Sequence, residues 1–239
     1  MCGRFTMFSD DAELVSLFDI DEVEGEHQRT YNQAPAQLVR SVTSSYTDDD
    51  EERILGLQQW GLVPSWAKEG FKPLINARSE TVTTKPAFRS AAIRRRCLVP
   101  TNGYFEWRKL PGGKKQPYFL SLGDSRGRPA PAGSEPVIAM AGIYELSDEG
   151  VPTVALLTRA ASPSIAFIHD RMPLFLTRDL WTPWLDPTQQ KRDVVEDMIN
   201  IALAPPLVAR EVGAAVGNVR NDFPGLIDAV DPGDGMLPL

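Results

Sequence analysis

One α+β domain, built on a largely antiparallel, curved and barrel-like β-sheet flanked by helices, is the fold class the sequence predicts, and three observations carry it. Seven segments rich in β-branched or aromatic residues occupy the middle of the chain. They are bounded by turn residues and follow one another without regular βαβ alternation, and only three stretches keep a helical period. A length of 239 residues with 42% hydrophobic residues is enough to bury one such core.

In chain order, residues 9–18 read as a capped amphipathic helix. Acids fill its first turn, and Leu14, Leu17 and Phe18 form one stripe. Strands are expected at 37–43, 53–60, 104–107, 117–122, 137–143, 153–158 and 174–177. Ser162-Pro163 has the form of a cap followed by proline at the first helical position, so a short helix is expected to end before Pro173 with His169 in its last turn. The longest helix is expected over 187–203, with Val194, Val195, Met198, Ile199 and Leu203 on its apolar face. Breaks at 48–52, 111–114 and 124–136 are loops rather than linkers. The domain is therefore expected to span 1–227, with 228–239 as a flexible tail.

Composition closes off several classes. Two cysteines, Cys2 and Cys97, are too few for a disulfide scaffold, and the amino-terminal residues lack the apolar stretch of a signal peptide. No run is long enough to cross a membrane as a helix, so no membrane partner is expected, and the expected location is the cytoplasm or, in a eukaryote, the nucleus. The net charge of -7 conceals an asymmetry. Between residues 68 and 116 stand twelve basic residues and three acidic ones. Such a segment suits a phosphate backbone, and an ordinary solvated face is the alternative.

Familiar cofactor signatures are missing. Gly112-Gly113-Lys114 lacks the earlier glycine of a phosphate-binding loop, no Gly-x-Gly-x-x-Gly opens a helix, and Ser65-x-x-Lys68 has no companion motif. Cys2, His27, Cys97 and His169 do not show paired metal-ligand spacing, so neither a metal nor a cofactor is expected, and His27 is expected to be exposed.

Cys2 stands apart because of its position. Removal of Met1 would leave a thiol and a free α-amine on neighbouring carbons. That amine, with a pKa near 7.7 to 8.0 against about 10.4 for lysine, is far more often neutral near pH 7. The two groups can attack one aldehyde carbon in turn, giving an imine and then a thiazolidine ring. Such chemistry needs a proton shuttle, an acid and an anchor for the amine. Alternation along 104–107 puts Tyr104 and Glu106 on one face and Phe105 and Trp107 on the other, so Glu106 can project into a site or merely pair with Arg108. His169 at a helix end suits acid catalysis, or is a structural partner of Asp170. Asn76 offers an amide for the amine, with Arg78 beside it for phosphate. Trp66 and Trp107 are available to stack on bases if exposed.

Taken as a set, Met1-Cys-Gly-Arg-Phe5, Tyr31-Asn-Gln-Ala-Pro35, Ile75-Asn-Ala-Arg-Ser-Glu80, Arg96-Cys-Leu-Val-Pro100, Gly103-Tyr-Phe-Glu-Trp107, Ile168-His-Asp-Arg-Met-Pro173 and Val216-Gly-Asn-Val219 resemble the SOS response-associated peptidase (SRAP) family across nearly the whole chain. The resemblance implies a protein that crosslinks covalently to abasic sites in single-stranded DNA, with single-strand/double-strand junctions as further substrates. It implies Cys2 as the crosslinking residue, Asn76 as the group positioning its amine, and Glu106 as general acid and base. His169 would assist ring opening, and Arg4, Arg78 and Trp66 would hold the DNA. AP lyase and thiol autopeptidase activity are implied as side activities. Three other readings stay open on the residues alone: an amino-terminal-nucleophile amidohydrolase, an autopeptidase, and a noncovalent DNA-binding module.

Overall fold

The computed structural model describes residues 2–47, 50–124, 126–146 and 150–230. The chain opens with β1 (Phe5–Met7), α1 (Asp11–Phe18), β2 (Glu22–Val23), β3 (Thr30–Gln33), β4 (Leu38–Thr47) and β5 (Asp50–Trp60). Next come β6 (Asn76–Arg78), α2 (Arg89–Arg94), β7 (Arg96–Thr101), β8 (Gly103–Lys109), β9 (Lys115–Leu122), β10 (Ile138–Glu145) and β11 (Thr153–Ala160). The remainder is β12 (Arg171–Pro173), β13 (Phe175–Leu176), α3 (Arg178–Leu185), α4 (Arg192–Ile201) and β14 (Leu207–Glu211).

The strands form two sheets, most of whose pairings are antiparallel. The smaller runs β14-β9-β8-β1-β3, and the larger runs β12-β11-β10-β7-β4-β5-β2, with β6 paired to β11 and β13 to β10. Residues Thr153 and Val154 of β11 also pair in parallel with Gln59 and Trp60 of β5. The larger sheet thus returns on itself as a ring without becoming a barrel. Mixed α+β architecture with large antiparallel sheets is as the sequence predicts. Among the described residues no helix is long and apolar enough to cross a membrane.

The expected strands are all present, several of them longer, and α1 is capped by Asp10, whose carboxylate accepts from Glu13 N–H at 2.9 Å. Two helix expectations fail. Residues 163–168 form successive turns rather than a helix, because Ala161 N–H must reach Asp170 O at 2.9 Å to bring β12 beside β11. His169 therefore follows a turn and feels no helix end. The helix expected from 187 starts at Arg192, since Arg96 pulls the preceding carbonyls away from helical pairing: Nη2 donates to Asp186 O at 2.6 Å and Gln189 O at 3.0 Å. Leu203 lies beyond α4 and is 73% exposed, so it leaves the predicted apolar face.

Strand β8 divides the core. Tyr104 joins the main cluster, whereas Phe105 joins a smaller one with Phe8, Phe119, Val216 and Leu226, on which Trp107 packs. Gly103 lets β8 approach β9: a Cβ there would stand 2.4 Å from Phe119 Cζ and 2.7 Å from Leu120 O. At the carboxyl end, Val230 N–H still donates to Glu211 O at 3.1 Å, while residues 231–239 of the expected tail lie outside the described residues.

Candidate active site

The site begins with β1, which pairs with β8 through Phe5↔Tyr104 and with β3 through Phe5↔Gln33. This pairing carries Cys2 into the main cluster, where it is fully buried. Its thiol donates to Arg4 O at 3.9 Å, and burial followed by the nearby Glu106 charge raises its pKa. Around neutral pH the sulfur keeps its proton.

Asn76 meets Cys2 directly. Its Nδ2 donates to Cys2 O at 2.7 Å, while its Oδ1 is buried without a hydrogen-bond partner among the described residues. Strand geometry fixes the amide, because β6 runs parallel to β11 with Asn76 opposite Leu156, and Trp60 Nε1–H donates to Ile75 O at 2.9 Å just before it.

Glu106 is 5% exposed and sits opposite Tyr118 on β9. Its charge acts on both Cys2 and Tyr104, which places the three groups in one electrostatic neighbourhood. Arg108, the alternative partner in the sequence, stacks its guanidinium 5.5 Å over the Phe167 ring. Phe167 also meets Tyr118 edge-on at 5.8 Å, so the turn before His169 is docked on the residue facing Glu106.

The His169 Nδ1 accepts from Arg171 N–H at 3.0 Å and also lies 3.0 Å from Asp170 Oδ1. The first contact suits the neutral ring with its proton on Nε2, and the second suits imidazolium.

The DNA candidates occupy different settings. Arg4 is 9% exposed, its Nη1 donates to Asn32 Oδ1 at 2.7 Å and Val216 O at 2.8 Å, and its guanidinium lies 6.0 Å from the Trp107 ring centre. Arg78 is exposed two residues along the same strand as Asn76. Trp66 is 58% exposed, edge-on to Phe71 at 5.7 Å. The basic segment does not form one stripe, because Arg96 is buried among carbonyls and Arg95 pairs with Glu145 at 2.7 Å.

Several contributors escaped sequence reasoning. Arg171 clamps Glu80 with two hydrogen bonds, at 2.6 and 2.9 Å, and this pairing holds the Glu80 carboxyl below its usual range. Asn32 ties Arg4 to the loop at Asn218 and Asn221. Both lie within quoted motifs, but nothing local in the sequence showed which distant partner each would meet. His27, expected on the surface, is half-buried with Nε2 enclosed. Burial, then Arg40, lowers its pKa. Among the described residues no cluster of His, Cys, Asp and Glu could hold a metal ion.

The model of the SOS response associated peptidase (SRAP) family matches residues 1–219. The chain belongs to this family. A Bacillus subtilis relative named abasic site processing protein YoaM is 34% identical, over 96% of this chain and 98% of its own. Abasic site processing protein YedK of Escherichia coli is 32% identical over 96% of this chain and all of its own length, and abasic site processing protein HMCES of Gallus gallus is 31% identical over 88% and 69%. A crystal structure of a Bacteroides thetaiotaomicron protein shares the fold, with a TM-score of 0.72 at 22% identity, covering 96% of this chain and all of that one.

Proposed function

We propose that this SRAP protein processes abasic sites in single-stranded DNA by forming a covalent crosslink through Cys2 once Met1 is removed. The observation that carries the reading is the grip of Asn76 on Cys2: one end of the amide holds the Cys2 carbonyl and the other, buried and unpartnered among the described residues, is free to accept from the new amine. The naming of relatives as abasic site processing proteins supports the substrate.

The chemistry proceeds in the order that the electrostatics favour. His169 serves as the acid that opens the closed sugar to its aldehyde. The amine attacks first, because the buried thiol remains protonated. Glu106 gives a proton to the departing water, leaving an imine, and the thiol then adds across the C=N bond, sulfur to carbon and hydrogen to nitrogen. Arg78 and Trp66 offer a phosphate contact and a stacking face, while Arg4, expected to hold DNA, is turned to Asn32 and Val216 and steadies the segment that carries Cys2. Lesions in single strands, or beside a duplex at a junction, suit this site because no base stack has to open. This substrate places the protein with chromosomal DNA, in the cytoplasm or a nucleus.

Two side activities follow from the same atoms. Elimination from an imine that fails to close its ring would cut the strand, an AP lyase outcome. Cleavage of the Met1–Cys2 bond by the thiol would be autopeptidase action.

Incubating the protein with abasic single-stranded DNA and running a denaturing gel tests the proposal. A shifted band that survives heat and high salt is expected from the natural chain and not from Cys2→Ala. Ammonia release from glutamine without a shift would support an amidohydrolase instead, and occupancy lost in detergent would support noncovalent binding.

A further inference from the structure

We infer that the Tyr104 hydroxyl is a further catalytic group for this reaction, donating a hydrogen bond to the oxygen that leaves the sugar carbon as water. The inference rests on the abasic-site reading above.

Tyr104 is fully buried, and its Oη has no hydrogen-bond partner among the described residues. Packing explains the ring and not the oxygen. The ring lies 6.1 Å from Phe175, faces Leu120 across β9 and pairs with Phe5 across β1, all of them apolar neighbours that a phenylalanine would satisfy equally. An enclosed hydroxyl without a partner weakens the fold relative to the bare ring, so the oxygen calls for a role elsewhere.

Its position indicates that role. Strand alternation puts Tyr104 on the face of Glu106, and Cys2 lies in the same buried cluster. Burial, reinforced by Cys2 and Glu106, raises its pKa well above that of an ordinary tyrosine, so at neutral pH it is a donor and not a base. A donor on the strand face of the acid, in the same buried cluster as the aminothiol, can meet an oxygen brought there by substrate.

The atoms balance as follows. The Cys2 nitrogen bonds to the aldehyde carbon, and one of its two protons passes to the carbonyl oxygen, which becomes a hydroxyl. That oxygen departs as water with a proton from the Glu106 carboxylic acid, and nitrogen returns a proton to the carboxylate as C=N forms. Tyr104 keeps its own proton throughout and stabilises the oxygen as charge builds on it.

Single-turnover reactions of the natural chain, Tyr104→Phe and Cys2→Ala with abasic single-stranded DNA test this, read by borohydride trapping of the imine, by heat-stable adduct, by noncovalent affinity and by melting temperature. For Tyr104→Phe, imine and adduct formation at saturating DNA should slow about tenfold, as expected for loss of one ordinary hydrogen bond at the reacting oxygen. Affinity should hold and melting temperature should stay level or rise. A Tyr104→Phe rate equal to that of the natural chain overturns the inference and leaves the crosslinking reading standing. A slower rate accompanied by lost affinity or a lower melting temperature also overturns it, as a structural effect. No adduct from the natural chain overturns both.

Discussion

On one face of β8, Phe105 packs 5.1 Å from Phe119 and Trp107 covers the same apolar cluster. On the other face, Tyr104 and Glu106 bring two oxygen-bearing groups into a buried setting that also feels Cys2. One strand thus serves two purposes, set by a period of two. The packed face supplies cohesion, and the polar face holds groups whose burial is costly and which the fold alone does not require. The difference shows where to look for chemistry in a small sheet: at the face that encloses titratable side chains beside the main core.

The sharpest way to break this comparison is Glu106→Gln, which keeps the shape of the polar face and removes its proton. Adduct formation should slow by about 10²-fold to 10⁴-fold with DNA affinity retained, measured in single-turnover and binding assays. Equal loss of affinity would make Glu106 a structural residue. On the packed face, Phe105→Ala should lower stability by about 3 to 5 kcal/mol in denaturant unfolding, because the apolar cluster cannot close over the gap. A chain still folded at low temperature should retain the adduct chemistry.

A smaller effect separates position from chemistry. Asn76→Ala removes the donor to Cys2 O and the orphan acceptor together, and should slow the adduct about tenfold or more while leaving borohydride-trapped imine detectable. An unchanged rate would remove Asn76 from the site.

The smallest effect is on pH. Burial raises the thiol pKa of both Cys2 and Cys97, so the folded chain holds these protons after the unfolded chain has released them. Their stabilising contribution is complete below the unfolded thiol value of about 8.5 and is lost as pH rises above it. Melting temperature should therefore fall between neutral pH and about pH 10, and the fall should be shallower in Cys97→Ala.

The mixed α+β class was legible in the sequence, and so was the choice of candidates for the site. Cys2, Asn76 and Glu106 carry chemistry that depends on residue type and on strand alternation, both local properties. What was hidden depends on distant partners. β7 begins with an arginine and contains Pro100, a poor strand by composition, yet Arg96 is buried by carbonyls from α2 and from the end of α3. α3 was missed because Pro183 interrupts its pattern, although Trp181 and Trp184 are buried along it. The turn at 163–168 has helix-start residues, but the hairpin between β11 and β12 overrides them.

The most direct test of the central claim is mass spectrometry of the nuclease-digested and protease-digested adduct. The expected product is a peptide that begins at Cys2, lacks Met1 and carries the sugar fragment less one water, with both sulfur and nitrogen blocked. A fragment on a lysine, or on a chain that still bears Met1, would contradict it.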